Sequence, residues 1–299
     1  MIIFYAIISR VNMKIREMSA PTSFSIVTIK LMAIRTFDKL SSKAIVRRYL
    51  GKIVFVATLI FCGLFCSLPA VALTVDDLNL IEVSKHGDLR LFKILLARGA
   101  NPNALDQGNN TAILMAAYNS KREMVRLLIE LKADVNVLGS LGFTPVGVAA
   151  MRGDTEIVKM LINAGANLDV YDYEGETPLL RAIRARRDDN LKALLGAGAN
   201  VDMANKSGET PLMLAAQMGR LDYVEALLQK NADADARNKE GCTALYFSIF
   251  EGYDEIGKRL IQAGSSVRGL SNGYTLLHWA DAMDRKELVA LLVNAGAVN

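Results

Sequence analysis

From Thr155 the chain reads TEIVKMLINAG, with Ile157, Val158, Leu161 and Ile162 spaced to fall on one face of a helix. The stretch before it, TPVGVAAMRGD from Thr144, predicts a shorter helix. Its Ala149 and Ala150 carry so little bulk that a neighbouring helix can approach closely. Gly153 separates the two as a turn. Gly165 stands just past the second helix, where a left-handed C-terminal cap is needed. The polar run ANLDVYDYEGE then leads to the next Thr-Pro. One unit is therefore helix, turn, helix and a hairpin-like loop.

The unit recurs. GETPL stands at Gly175–Leu179 and again at Gly208–Leu212. The corresponding threonines are Thr111, Thr144, Thr177, Thr210, Thr243 and Thr275, spaced by 33, 33, 33, 33 and 32 residues. In the same phase run GANPN from Gly99, KADVN from Lys132, GANLD from Gly165, GANVD from Gly198 and NADAD from Asn231. GSSVR from Gly264 is a degraded copy, and GAVN closes the chain. With an irregular first unit, the predicted repeats are 76–103, 104–136, 137–169, 170–202, 203–235, 236–268 and 269–299. Each threonine can cap the exposed N–H groups of a first helical turn. Proline at the next position costs nothing there. Helices of about ten residues are marginal alone, so each unit must cover the next. The expected fold is all-α: a solenoid of helix-turn-helix units joined by β-hairpin-like loops.

On these residues the chain resembles the ankyrin repeat family: the T-P-L helix starts, the pairs Ala116–Ala117, Ala149–Ala150 and Ala215–Ala216, and the G-A-[ND] loops. The resemblance covers about Asp76 to Asn299. It implies a module that binds a partner protein through hairpin tips and inner helices. Carried onto this chain, those positions include Tyr118, Phe143, Met151, Arg152, Tyr173, Glu176, Arg184, Glu209, Met218, Phe250 and Tyr274. The pattern also implies that His278, fourth in TLLH, is a structural hydrogen-bonding residue.

Some units depart from the pattern. Unit one has Leu78-Asn79 where others have Thr-Pro, and the proline is replaced by Ala112, Ala244 and Leu276. The turn glycine becomes Ser120, Arg186 and Asp284 in units two, four and seven. If those backbones remain left-handed, each substitution costs on the order of 1 kcal/mol. Asp281 replaces a small or apolar residue, which suits a last unit with one face in water.

The front of the chain is of another kind. Ile53–Ala72 carries no charge, follows Arg47, Arg48 and Lys52, and ends Ala70-Val71-Ala72. Basic flank, apolar core and A-x-A ending are the parts of a secretory signal peptide, with cleavage after Ala72. An uncleaved transmembrane helix is the alternative. Pro69 favours cleavage, and Phe61 and Phe65 before Cys62 and Cys66 argue against a lipoprotein. The leader before it is long, and Met32 offers a more ordinary start.

This segment changes the reading of charge. The chain is formally +4, but residues 1–72 hold ten Lys and Arg against two Asp and Glu. The remainder holds 25 against 29, a net of −4. A nucleic-acid role thereby loses its electrostatic basis. Only Cys242 lies beyond the leader, so no intramolecular disulfide is expected.

Catalytic signatures are lacking. His86 and His278 belong to the first and last units and cannot share a site. One thiol with one imidazole is too little for structural zinc, and no phosphate loop, H-E-x-x-H or nucleophile elbow occurs. No cofactor, metal or catalytic residue is expected. RAIRARRDDN from Arg181 offers a basic patch for an acidic partner, but Asp188 and Asp189 cancel part of it, which favours solvated loop charge. The expectation is an exported, non-enzymatic, monomeric binding protein acting in a bacterial periplasm or outside the cell. The alternatives are a membrane-tethered envelope scaffold and a secreted effector that binds a host protein.

Overall fold

The computed structural model describes residues 73–268, 270–271 and 273–298. The leader, its cleavage point after Ala72 and the apolar run from Ile53 lie outside the described residues. Leu73–Asn299 forms one compact unit.

Among the described residues are fourteen α-helices in seven pairs. They are α1 Val75–His86 with α2 Leu89–Ala97, α3 Ala112–Tyr118 with α4 Arg122–Glu130, and α5 Pro145–Arg152 with α6 Thr155–Asn163. Then come α7 Pro178–Arg184 with α8 Asp188–Gly196, and α9 Pro211–Gln217 with α10 Leu221–Leu228. The last are α11 Ala244–Glu251 with α12 Asp254–Gln262, and α13 Leu276–Ala282 with α14 Lys286–Asn294. The first helices pack in one row from α1 to α13, each against the first helix of the next unit.

The threonines behave as their spacing predicts. Thr111, Thr144, Thr177, Thr210, Thr243 and Thr275 each accept an amide three residues ahead, at 3.0–3.4 Å. Unit one departs from the sequence reading. Its first helix begins at Val75, so Leu78-Asn79 lies inside it rather than at its start. Thr74 caps it, with the Asp77 carboxylate returning to the Thr74 amide, and the result is a longer helix. Ser120, Arg186 and Asp284 do keep left-handed backbones, with φ of 55°, 54° and 55°.

The alanine pairs explain how the rows approach. Ala116, Ala117, Ala149, Ala150, Ala215 and Ala216 are fully buried, alongside Ile113, Val146, Leu179 and Leu245. Each fully buried Leu or Ile contributes roughly 1.5–3 kcal/mol. Asp281, at the equivalent position of the last unit, is exposed as expected.

The G-A-[ND] loops turn out to be inter-unit staples. Asn103, Asn136, Asp169, Asp202 and Asp235 each accept, through Oδ1, the backbone amide of the residue 31 positions on in the next unit, at 2.6–2.9 Å. The amides of Asn103, Asn136, Asp169, Asp202 and Asp235 themselves donate to the side chain two residues before. A short polar side chain is required at both places, and Asn or Asp supplies it.

Candidate partner-binding face

The hairpin loops precede each first helix. In unit four Asp172 organises the loop: its Oδ1 accepts the amides of Glu174 and Glu176, while backbone bonds close the turn between Asp172 and Glu176. Asp106, Asn205 and Asn238 do the same in units two, five and six. Burial alone would raise the Asp106 carboxyl, but the amides of Asn110 and Gly108 and the Asn110 side chain outweigh it and hold the group below the usual carboxylate range. Unit three has Gly139 instead, because a Cβ there would stand 2.1 Å from Leu114 Cδ2. Its turn is a short 3-10 segment, Ser140–Gly142, with Leu141 left-handed at φ 62°. Unit seven closes with two short strands, Leu270–Ser271 paired antiparallel with Tyr274–Thr275.

Side chains of the first helices reach these loops. Arg181 on α7 binds Asp172 through Nε at 2.7 Å and Glu174 through Nη2 at 2.7 Å, with its guanidinium 5.3 Å from the centre of the Phe143 ring. Burial lowers the Arg181 pKa, but the two carboxylates more than reverse this and raise it. Arg184 holds the Glu176 carboxylate at 2.8 Å, and Asn205 bridges toward Glu209 at 2.8 Å. The hairpins and first helices therefore share one face of the array.

The residues carried over from the family pattern divide into two sets. Tyr118, Arg152, Tyr173, Arg184, Phe250 and Tyr274 are exposed. Tyr118 and Arg152 are brought together across two units, with the guanidinium 5.0 Å from the ring centre. The Tyr173 ring carries Lys206 Nζ at 4.8 Å. Phe143, Met151, Glu209 and Met218 are half-buried. Glu176 requires a correction: it is only 6% exposed and engaged by Arg184, so it positions the loop rather than offering surface.

Two more readings change. His278 stacks on Tyr274 at 4.6 Å and sits edge-on to Trp279, and its side chain makes no hydrogen bond among the described residues, unlike the polar role expected for it. The run from Arg181 is also more than solvated charge. Arg181 and Arg184 pair on the hairpin side, Arg187 donates to the Met151 carbonyl, and Asp188 bonds both Arg220 and Tyr223.

Other contributors were not singled out from sequence. Leu105, Leu138 and Tyr171 are exposed on the hairpins. Tyr246 and Trp279 join the expected Phe250 and Tyr274 in a ring cluster whose contacting centroids lie 5.4–5.7 Å apart. A large apolar residue six positions before Thr111, Thr144 and Thr177 was the available sequence signal for the first group. The ring cluster needs two units in contact.

Comparison with known proteins agrees with this architecture. The crystal structure of the ankyrin repeat domain of Bcl-3, described as a unique member of the IkappaB protein family, superposes with a TM-score of 0.64. That alignment covers 72% of this chain and 97% of the other at 23% identity. No curated protein sequence matches the chain. The family model for ankyrin repeats (3 copies) matches residues 80–172, 131–205, 147–238, 189–268 and 231–299. Those matches leave no described pair of helices unaccounted for, and the chain belongs to the ankyrin repeat family.

Proposed function

We propose that the protein acts by binding another protein along its hairpin-and-first-helix face, as a monomer and without chemistry of its own. Ankyrin repeats indicate a protein–protein interaction module, and the fold typically serves as a non-catalytic scaffold. The observation that carries the reading for this chain is the recurrence of exposed rings on that face: Tyr118, Tyr173, Phe250 and Tyr274. Aromatic and arginine side chains of this kind dominate binding hot spots. Replacing both Tyr118 and Tyr173 with Ala is expected to leave the circular dichroism spectrum intact and to weaken capture of the native-compartment partner at least tenfold, about 1.4 kcal/mol. Lys159→Glu, on the second-helix side, is the control and leaves capture unchanged. The reverse outcome would move the binding surface to the other side.

The site of action belongs to the same proposal. A basic flank, an apolar run and A-x-A before Leu73 support export by a cleaved signal peptide to a periplasm or the exterior. N-terminal sequencing of the native protein should start at Leu73. An intact leader in the membrane fraction would favour the tethered scaffold instead.

A further inference from the structure

In the hairpins of units two, three, four and six, exposure alternates: the residues six and four positions before the capping threonine are exposed, and the one between them is more buried. In unit five Ala204 is half-buried and Lys206 exposed, and in unit seven Ser271 is buried. In units two, three and four the outward pairs are Leu105 with Gln107, Leu138 with Ser140, and Tyr171 with Tyr173. Leu141 adds a further exposed apolar side chain. These large apolar residues are 45–70% exposed. In units five and six the same places hold Ala204 with Lys206, and Arg237 with Lys239. Neighbouring hairpins touch: the Tyr173 amide donates to the Leu141 carbonyl at 2.7 Å, the Lys239 amide donates to the Ser207 carbonyl at 3.1 Å, and Lys206 Nζ donates to the Tyr173 carbonyl. The edge is thus continuous, apolar over three units and then cationic over two. At the hairpin tips Glu174 is tied to Arg181 and Glu240 stands beside Lys239, while Asp169, Asp202 and Asp235, two residues before the pairs, each have Oδ1 engaged by a backbone amide of the next unit.

We infer that this hairpin edge is the docking line for an extended segment of the partner protein whose apolar side chains lie over units two to four and whose Asp or Glu side chains lie over units five and six. The inference rests on the protein-binding reading above and adds to it the chemistry of the partner. A contiguous apolar patch is unusual on a soluble surface and marks an interaction site. The adjoining Lys206 and Lys239 select for carboxylates and against basic segments. Packed units repeat every ~10 Å, so five hairpins span ~40 Å, the reach of ~12 extended residues.

The test is a random twelve-residue peptide library displayed on phage and selected on the full-length chain in mild non-ionic detergent. Selected peptides should pair an apolar half with an acidic half, and a synthetic one should bind at least tenfold more weakly to the double variant Leu138→Ser, Tyr171→Ser. On Lys206→Glu combined with Lys239→Glu, selection should turn to Lys and Arg. These side chains are exposed, so unchanged circular dichroism will show that the variants fold. Peptides without an acidic excess, or selection indifferent to both variants, would overturn the inference. So would flotation with phosphatidylcholine–phosphatidylglycerol vesicles that is lost in the variants while no peptide is selected, since that assigns the edge to lipid. If native partner capture depends on Tyr118 but not on Leu138, Tyr171, Lys206 or Lys239, this inference fails while the proposed function stands. If no protein is captured at all, the proposed function itself fails.

Discussion

Asp202 and Asp233 are joined across two units: Oδ1 of Asp202 accepts the Asp233 backbone amide at 2.8 Å. The same bond occurs at five successive junctions, so the loops that look like simple connections also lock neighbouring units in register. Asp202→Ala should destabilise the array by about 1 kcal/mol, whereas Asp202→Asn keeps the acceptor and should stay within a few tenths of wild type. Urea unfolding measures both. Equal loss in the two variants would show that charge, not the staple, is what matters.

Ala216 is fully buried where first helices meet. Ala216→Arg forces a long charged side chain into a contact built for a methyl group. The expected loss exceeds about 3 kcal/mol, seen as a lower thermal midpoint. An unchanged midpoint would contradict the stacked arrangement.

Arg186 is exposed with a left-handed backbone, in a place where units three, five and six have glycine. Arg186→Gly removes the strain but adds freedom to the unfolded chain, and the net gain should be about 0.5–1 kcal/mol. A loss of stability on calorimetry would mean that the arginine side chain contributes more than its backbone costs.

Acid should weaken the fold. The Asp77 carboxyl is raised by burial but lowered further by the amides of Asn101 and Thr74 and the Thr74 hydroxyl, so its folded pKa lies below the ordinary value. A hydrogen bond from Arg220 holds Asp222 low in the same way, and the amides around Asp106 do so there. A depressed folded pKa gives stability that is complete above the unfolded carboxylate range, near ~4, and lost as pH falls through the folded values. The urea midpoint should therefore drop between about pH 5 and pH 2, and the drop should be smaller in Asp77→Ala. A midpoint that rises over that interval would reverse the sign of the linkage.

The sequence by itself determined the repeat, the helix starts of units two to seven and the left-handed turns. These depend on neighbours within a few residues: a threonine caps an amide three positions ahead, and a turn of given length demands positive φ whether glycine is there or not. The alanine pairs also announced close helix contact, because bulk is a property of the residue alone. Only the tertiary structure decided what faces what. Glu176 and Tyr173 sit in one loop and look equally suited to a partner, yet Arg184 draws Glu176 inward while Tyr173 stays in solvent. Arg181 belongs to an unremarkable basic run until the stacking of units lays it over Phe143 and between two carboxylates. Thr74 gained its role in a first helix of 12 residues, longer than the first helices of the other units, where the Asp77 carboxylate returns to its amide. Each of these outcomes depends on groups brought together from separate loops, helices or units, and spacing along the chain does not encode that proximity.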